Sequence, residues 1–408
     1  MSTAFQLACP PIPLVRIALV GLGQRGMKTL ERYADIEGAE IVCLADLNDD
    51  RLQLAQEVLQ RTGRPKARTF AGKDAWKEAC QQPEIDLVYI CTEWRSHTPI
   101  AVAAMEYGKH VAVEVPAATT IDECWQLVRT AEATQRHCFM TENCCYDLVA
   151  LQTLEMHRRG LLGQITHLEG AYIHNLTVPS RHHTGGITDT RQNWMERSCA
   201  LHGGNPYPTH GMGPMAQLLG LHRNDRLEWL VSVTAEGVAM PGLPPKGRVN
   251  TALLRTRKGV TLMLQLDVTT PRPYSRMQTV CGTLGFVQKY PLTTVQLEGS
   301  EALTGEAALN YLNQFSTSPA ALLWKKGHEL GVPNEMNFAM DARLIHCLRA
   351  GLPLDMDVYD AAEWSCLAEL TQQSAKQGGM PVRIPDFMGE SSKANEEYIE
   401  KTIQTAKE

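Results

Sequence analysis

The sequence predicts an α/β chain: an N-terminal Rossmann-type, doubly wound parallel sheet, then an α+β domain with an open, mostly antiparallel sheet. Three observations carry this. The β-rich run VRIALV (15–20) leads directly into the glycine turn GLGQRG and a helical pattern. Apolar runs and helical patterns then alternate to residue 142. Beyond about residue 150, successive β-runs are split by turn signals instead. The expected domains are residues 1–150 for nucleotide binding, and 151–408 for substrate binding and dimerisation, with C-terminal helices.

Gly21, Gly23 and Gly26 fall in G-x-G-x-x-G order between the first strand and the helical stretch MKTLERYADI. The next apolar strand, AEIVCLAD, ends in Asp46. Glycines let the backbone approach a pyrophosphate, and the helix N-terminus offers N–H groups and a positive dipole end. Asp46 would accept the adenosine ribose hydroxyls and repel a 2′-phosphate, so NAD is expected over NADP. DLVYICT (86–92), HVAVE (110–114) and CFMTE (138–142) read as further strands, and HTPIAVAAMEYGK (97–109) as a helix. Thr120 and Glu123 form a capping box ahead of another helix, near 121–134. Ligands of such a sheet gather at the strand C-termini, where CTEWRSH, EVPAA and ENCCY lie.

In the second half, ITHLEGAYIHN (165–175), WLVSVTA (229–235), NTALLRTR (250–257), VTLMLQLDV (260–268), SRMQTVCGT (275–283) and FVQKY (286–290) read as strands. Residues 176–205 show no period, and helical patterns return near 335–350 and 357–377. The stretch NPYPTHGMGP (205–214) packs three prolines and two glycines into ten residues, which predicts a rigid turn presenting Tyr207, Thr209 and His210.

Apolar residues make up 44% of the 408-residue chain and charged residues 21%, so it is globular and long enough for two cores. A net charge of −6 with scattered Lys and Arg argues against nucleic acid and anionic membrane partners. No apolar run is long enough to span a bilayer. Twelve cysteines without a C-x-x-C pair read as buried, reduced thiols and lean cytoplasmic; export with a leader absent from this sequence is the alternative. His167, His174, His182 and His183 lack metal-ligand spacing, and no metal is expected.

The motifs EVPAA, CTEWRSHTPIAVAAMEYGKH, ENCCY, NPYPTHGMGP and GTLGFVQKYP together resemble glycoside hydrolase family 109, within the Gfo/Idh/MocA oxidoreductase superfamily. Sugar dehydrogenases of that superfamily carry a catalytic lysine in an E-K-P motif. Here the motif reads Glu114-Val115-Pro116, and valine cannot move a proton. The resemblance implies an NAD-dependent α-N-acetylgalactosaminidase. NAD⁺ takes a hydride from C3 of the sugar, the C2 proton becomes acidic, the aglycone leaves, water adds and the hydride returns. Glycosidases that depart from the two-carboxylate scheme include an NAD-dependent family of similar type. A plain NAD-linked sugar dehydrogenase is the second reading.

The resemblance also implies roles. His210 is the leading acid/base, since histidine exchanges protons near neutral pH without a large shift; its alternative is a helix-start histidine bonded to backbone. Tyr172 is a second acid/base or sugar contact, or half-buried packing. Tyr207 and Tyr290 would touch the sugar, as would Glu142, which could instead cap the segment that follows it. Gln24, Arg25, Trp94, His97, Glu114, Val115 and Asn143 would line the cofactor. The sugar-binding arginine is Arg197, with Arg191 in reserve. A homodimer through the open sheet is implied as well.

Overall fold

The computed structural model describes residues 3–176, 194–240 and 243–389. They form two compact units, taken separately below. The first holds the chain up to Thr141, Leu344–Ser365 and the stretch from Pro385; the second holds Glu142–Arg343 and Cys366–Ile384. The division therefore falls at residue 142 rather than 150, because the turn after Glu142 bonds within the second unit. The C-terminal helices are shared between the units instead of belonging to the second alone.

In the first unit the chain runs β1 (Val15–Val20), α1 (Gln24–Arg32), β2 (Ala39–Asp46), α2 (Asp49–Arg61), β3 (Arg68–Ala71) and α3 (Ala75–Gln81). It continues through β4 (Leu87–Ile90), α4 (Trp94–Glu106), β5 (His110–Val113), α5 (Ile121–Thr134) and β6 (Cys138–Met140). The six strands are ordered β3-β2-β1-β4-β5-β6, and every pair is parallel. All residues of β4 and β5 are buried, as expected of strands covered on both faces. The strand order reverses between β1 and β4, which opens a crevice at their C-terminal ends. Thr120 and Glu123 do form the capping box of α5. Helix α4 starts three residues before the sequence pattern, because the Glu93 carboxylate accepts the Arg95 N–H and caps it.

The second unit opens with α6 (Leu148–Arg158), β7 (Ile165–Ile173), α7 (Trp194–Leu201) and α8 (Thr209–Leu219). Strands β8 (Leu227–Thr234), β9 (Val238–Met240), β10 (Leu243–Lys246), β11 (Val249–Thr256), β12 (Thr261–Asp267) and β13 (Ser275–Gly282) follow. Then come β14 (Gly285–Gln288), β15 (Thr294–Leu297), β16 (Leu303–Thr304), α9 (Glu306–Asn313) and α10 (Pro319–Glu329). Helices α11 (Glu335–Ala350) and α12 (Val358–Lys376) each carry residues of both units, and β17 (Val382–Arg383) closes the sheet edge. The nine-stranded sheet is ordered β16-β15-β14-β13-β7-β12-β11-β8-β17. All its pairings are antiparallel except β7 with β12.

Helix α7 lies in the stretch read as irregular, and residues 177–193 lie outside the described residues. The expected rigid turn is the start of α8: Pro208 is its N-cap, and Thr209 and His210 open its first turn. Pro214 sits inside the helix, where it removes one ladder donor without ending it. No helix among the described residues is long and apolar enough to cross a membrane. None of the twelve cysteines forms a disulfide, and all but Cys281 are buried.

Candidate active site

Two constellations stand out, one in each unit. In the first unit, Gly21 has φ +89°, and a Cβ there would lie 2.8 Å from the Cys91 carbonyl. Only glycine fits between the ends of β1 and β4. A Cβ on Gly26 would sit 1.9 Å from the Gly21 oxygen, so the third glycine lets α1 begin against the loop. At Gly23, the N-cap, a Cβ would meet nothing nearer than Arg51 at 3.9 Å. No side chain caps α1, and its first turn holds no acid. That is a cradle for a pyrophosphate: uncapped N–H groups at a positive helix end with room above them.

Asp46 braces this loop. Its Oδ2 accepts the Leu22 N–H at 2.5 Å and its Oδ1 the Asn48 N–H at 2.9 Å. A carboxylate has about four acceptor positions, which leaves room for ribose hydroxyls. Arg25 Nε donates to Glu114 Oε2 at 3.1 Å, while Glu114 Oε1 is buried without a partner, so a ribose hydroxyl would satisfy it. The residues present therefore fit NAD.

Three of the expected cofactor contacts, His97, Trp94 and Val115, are buried. His97 is only 1% exposed, with Nδ1 2.8 Å from the Pro116 carbonyl and Nε2 3.1 Å from that of Thr92. Burial lowers its pKa despite those carbonyls. It ties the β4–α4 loop to the loop after β5 and so positions the cradle. Trp94, first residue of α4, is likewise buried, as is Val115.

In the second unit, the 3₁₀ turn Asn143–Tyr146 follows Glu142, whose Oε1 accepts the Cys144 N–H at 3.0 Å. The same oxygen lies 2.7 Å from His210 Nδ1. Glu142 is fully buried. It both caps the turn and orients His210. Burial alone would raise the Glu142 carboxyl; the charge and hydrogen bond of His210 outweigh that and hold it below its ordinary value. Burial would likewise lower His210, but Cys144 and Glu142 reverse this and raise the imidazole well above its usual range. His210 is therefore a charged, proton-holding group at neutral pH, not one that titrates there without a shift.

Aromatic rings frame His210. The Tyr207 ring stands edge-on at 4.7 Å and the Tyr172 ring at 5.1 Å. The Tyr172 hydroxyl is 2.8 Å from His174 Nδ1. Tyr274 continues the row, 6.5 Å from Tyr172 and 6.0 Å from Tyr290. Tyr207 is set by Asn205, whose side chain accepts the Tyr207 N–H at 3.0 Å. Asn143 is buried, its Oδ1 3.6 Å from Cys144 Sγ. Arg197 falls within α7 and its side chain is not described; Arg191 lies outside the described residues.

Sequence reasoning missed the ionic base of this site. Asp147 Oδ2 accepts Arg276 Nη2 at 2.7 Å and also pairs with Lys289, while Oδ1 caps α6. Burial would raise Asp147; the two cations hold it far below the carboxylate range. Arg276 Nη2 also donates to the Tyr290 hydroxyl at 3.3 Å, so Tyr290 is positioned by the buried pair. Met277 and Gln278, at φ +55° and +56°, form a bulge in β13 beside Arg276. Lys289 is the neighbour of Tyr290 in QKYP, but nothing in the sequence links it to Asp147, 142 residues away.

His210 and the tyrosines of the second constellation fall within one family match, and Glu142 is the last residue of another. A model described as "Glycosyl hydrolase 109, C-terminal domain" matches residues 146–241 and 245–393, and one described as "Oxidoreductase family, NAD-binding Rossmann fold" matches residues 15–142. The chain belongs to glycosyl hydrolase family 109. "Glycosyl hydrolase family 109 protein 2" of Phocaeicola vulgatus is 49% identical over 403 residues, covering 93% of this chain and 96% of that one. The "Alpha-N-acetylgalactosaminidase" of Bacteroides fragilis is 49% identical over 400 residues, 93% of each chain.

Among solved structures, a levoglucosan dehydrogenase in complex with NADH shares the fold with a TM-score of 0.70 at 17% identity, over 91% of this chain and 99% of that one. An inositol dehydrogenase homologue from Azotobacter vinelandii, complexed with NAD⁺, gives 0.68 at 20% identity, over 94% and 100%. At such identities the likeness concerns the fold alone. The family 109 chain thus joins an NAD-binding Rossmann unit to a unit that carries a carboxylate-backed histidine.

Proposed function

We propose that this family 109 protein hydrolyses terminal α-N-acetylgalactosaminides, with NAD as a resident cofactor. The observation that carries the reading is the buried Glu142–His210 pair, 2.7 Å apart and framed by Tyr172 and Tyr207, with His210 and both tyrosines inside the family 109 match. When bound, NAD⁺ would supply the reversible hydride acceptor for the sugar's C3. His210 holds the proton needed by the departing aglycone oxygen, and Glu142 keeps the ring charged and oriented until transfer. Tyr172, bonded to His174, is the second proton-transfer group. Tyr207 and Tyr290 bind the sugar. In the first unit Gly21, Gly23, Gln24, Arg25, Gly26 and Asp46 hold the dinucleotide, with Glu114 on a ribose.

The test is release of the aglycone from an aryl α-N-acetylgalactosaminide by chain whose NAD content is measured. Cleavage should track bound NAD and fall by roughly 10²–10⁴-fold on His210→Ala. Net formation of NADH from free sugar, without cleavage, would instead establish the dehydrogenase reading. The reading includes a homodimer through the open sheet face, where Val233 is 60% and Leu253 49% exposed on adjoining strands. Sedimentation would show a monomer if that part is wrong.

A further inference from the structure

We propose that Glu142, Cys144 and His210 form a binding site for one Zn²⁺-class divalent ion. Their ligand atoms, a carboxylate oxygen, a thiol sulfur and an imidazole nitrogen, all lie within 4.8 Å of one another. All three residues are buried, at 0%, 2% and 9% exposure. An independent observation points to a missing ligand: Glu142 Oε2 is buried and has no hydrogen-bond partner, and Thr209 Oγ1 beside it has none either. Thr209 is near enough to influence the carboxyl, but out of hydrogen-bonding geometry.

The donor set selects the ion. One nitrogen, one sulfur and one carboxylate oxygen suit zinc, which takes N, S and O ligands in a tetrahedron and leaves a fourth position open when the protein supplies three. Hard ions such as Mg²⁺ want only oxygen. Charge also balances: a dication with one thiolate and one carboxylate sums to zero, so the buried site gains no net charge. The backbone is already set, since the Cys144 N–H bond to Glu142 Oε1 fixes the turn, and α8 delivers His210 from its first turn.

The metal site stands on this geometry alone. Only its consequence rests on the proposed role of His210: an ion held by that nitrogen takes the proton-holding group out of use, so zinc silences turnover.

The experiment uses the full chain with its dinucleotide, freed of metal by a chelator and titrated with Co²⁺. A thiolate-to-cobalt charge-transfer band should appear in the near ultraviolet, saturate at one equivalent and be displaced by Zn²⁺. Cys144→Ser should lose the band, and Glu142→Gln should weaken binding at least tenfold should the serine variant not fold. Cys281→Ser, which removes the most accessible thiol, should keep it. Absence of the band, its survival in Cys144→Ser, or its loss in Cys281→Ser alone would overturn the proposal. None of these readouts depends on glycoside cleavage.

Discussion

Gly170 of β7 and Gly211 of α8 touch through their backbones: a Cβ on Gly170 would lie 2.3 Å from the Gly211 carbonyl oxygen. A Cβ on Gly211 would lie 2.7 Å from the Ala171 nitrogen. This double glycine contact lets α8 press onto β7, and it brings the His210 ring to 5.1 Å from the Tyr172 ring. Gly170→Ala must push the helix away, because the obstructing atom is backbone. The expected cost is about 1–3 kcal/mol in urea denaturation, as for other overpacked cores. Cleavage should fall further than the lost stability explains, since both proton-transfer groups shift. A variant as stable and active as the parent would show that the contact does not set the site.

Glu142 acts through His210, so its loss should read differently from the loss of the histidine. His210→Ala should lower kcat by roughly 10²–10⁴-fold, the usual range for a proton-transfer group. Glu142→Gln keeps the shape but removes the charge that helps raise His210. Its kcat should fall less, and the alkaline limb of the pH–rate profile should move to lower pH. An unmoved alkaline limb would reduce Glu142 to a structural cap of the 3₁₀ turn.

The Rossmann half was legible because its signals are local. GLGQRG, the alternation of apolar runs and the Thr120–Glu123 box each fall within a few residues and mean the same thing in most contexts. His210, Tyr172, Tyr207 and Tyr290 were legible from motifs and do gather in one unit. Their physics was not. The raised state of His210 arises from Glu142 and Cys144, which lie 68 and 66 positions upstream, and Asp147 meets Arg276 and Lys289 across 129 and 142 residues of chain. The place of His97 after β4 was legible, but its two bonds to backbone carbonyls depend on tertiary contact and were not. Helix α8 was obscured by composition, since Gly211 answers to the contact with β7 rather than to helix propensity.

The Asp147 carboxylate serves two cations, so Asp147→Asn leaves Arg276 and Lys289 facing each other without a counter-charge. Arg276 is only 3% exposed and cannot turn to solvent. Loss of one partner from a buried pair typically costs about 3–5 kcal/mol, and that much should be lost in urea denaturation. Adding Lys289→Met should recover part of it by removing the surplus positive charge. If the double variant is no more stable than Asp147→Asn, the lost capping of α6 is the main cost and the ionic argument fails.

Acid should unfold the first unit through His110 and His137. The two rings lie 4.9 Å apart and are almost fully buried, and His110 Nδ1 accepts the His137 N–H at 3.1 Å. Burial, with help from neighbouring positive charge, depresses His110 to about 3 and His137 to about 4, from an ordinary 6.5. Both are therefore neutral in the fold at pH values where the unfolded chain protonates them. Above about pH 6.5 neither state binds the proton, and stability does not depend on these groups. Below it the unfolded state takes up protons that the fold refuses, so stability drops by up to about 1.4 kcal/mol per pH unit for each histidine. The drop should continue to about pH 4 for His137 and about pH 3 for His110. His110→Asn, whose side-chain oxygen can accept the same N–H, should flatten the slope between about pH 6 and 4 by about half. Urea midpoints taken across that range measure the slope directly, and an unchanged slope in the variant would assign the acid lability to other groups.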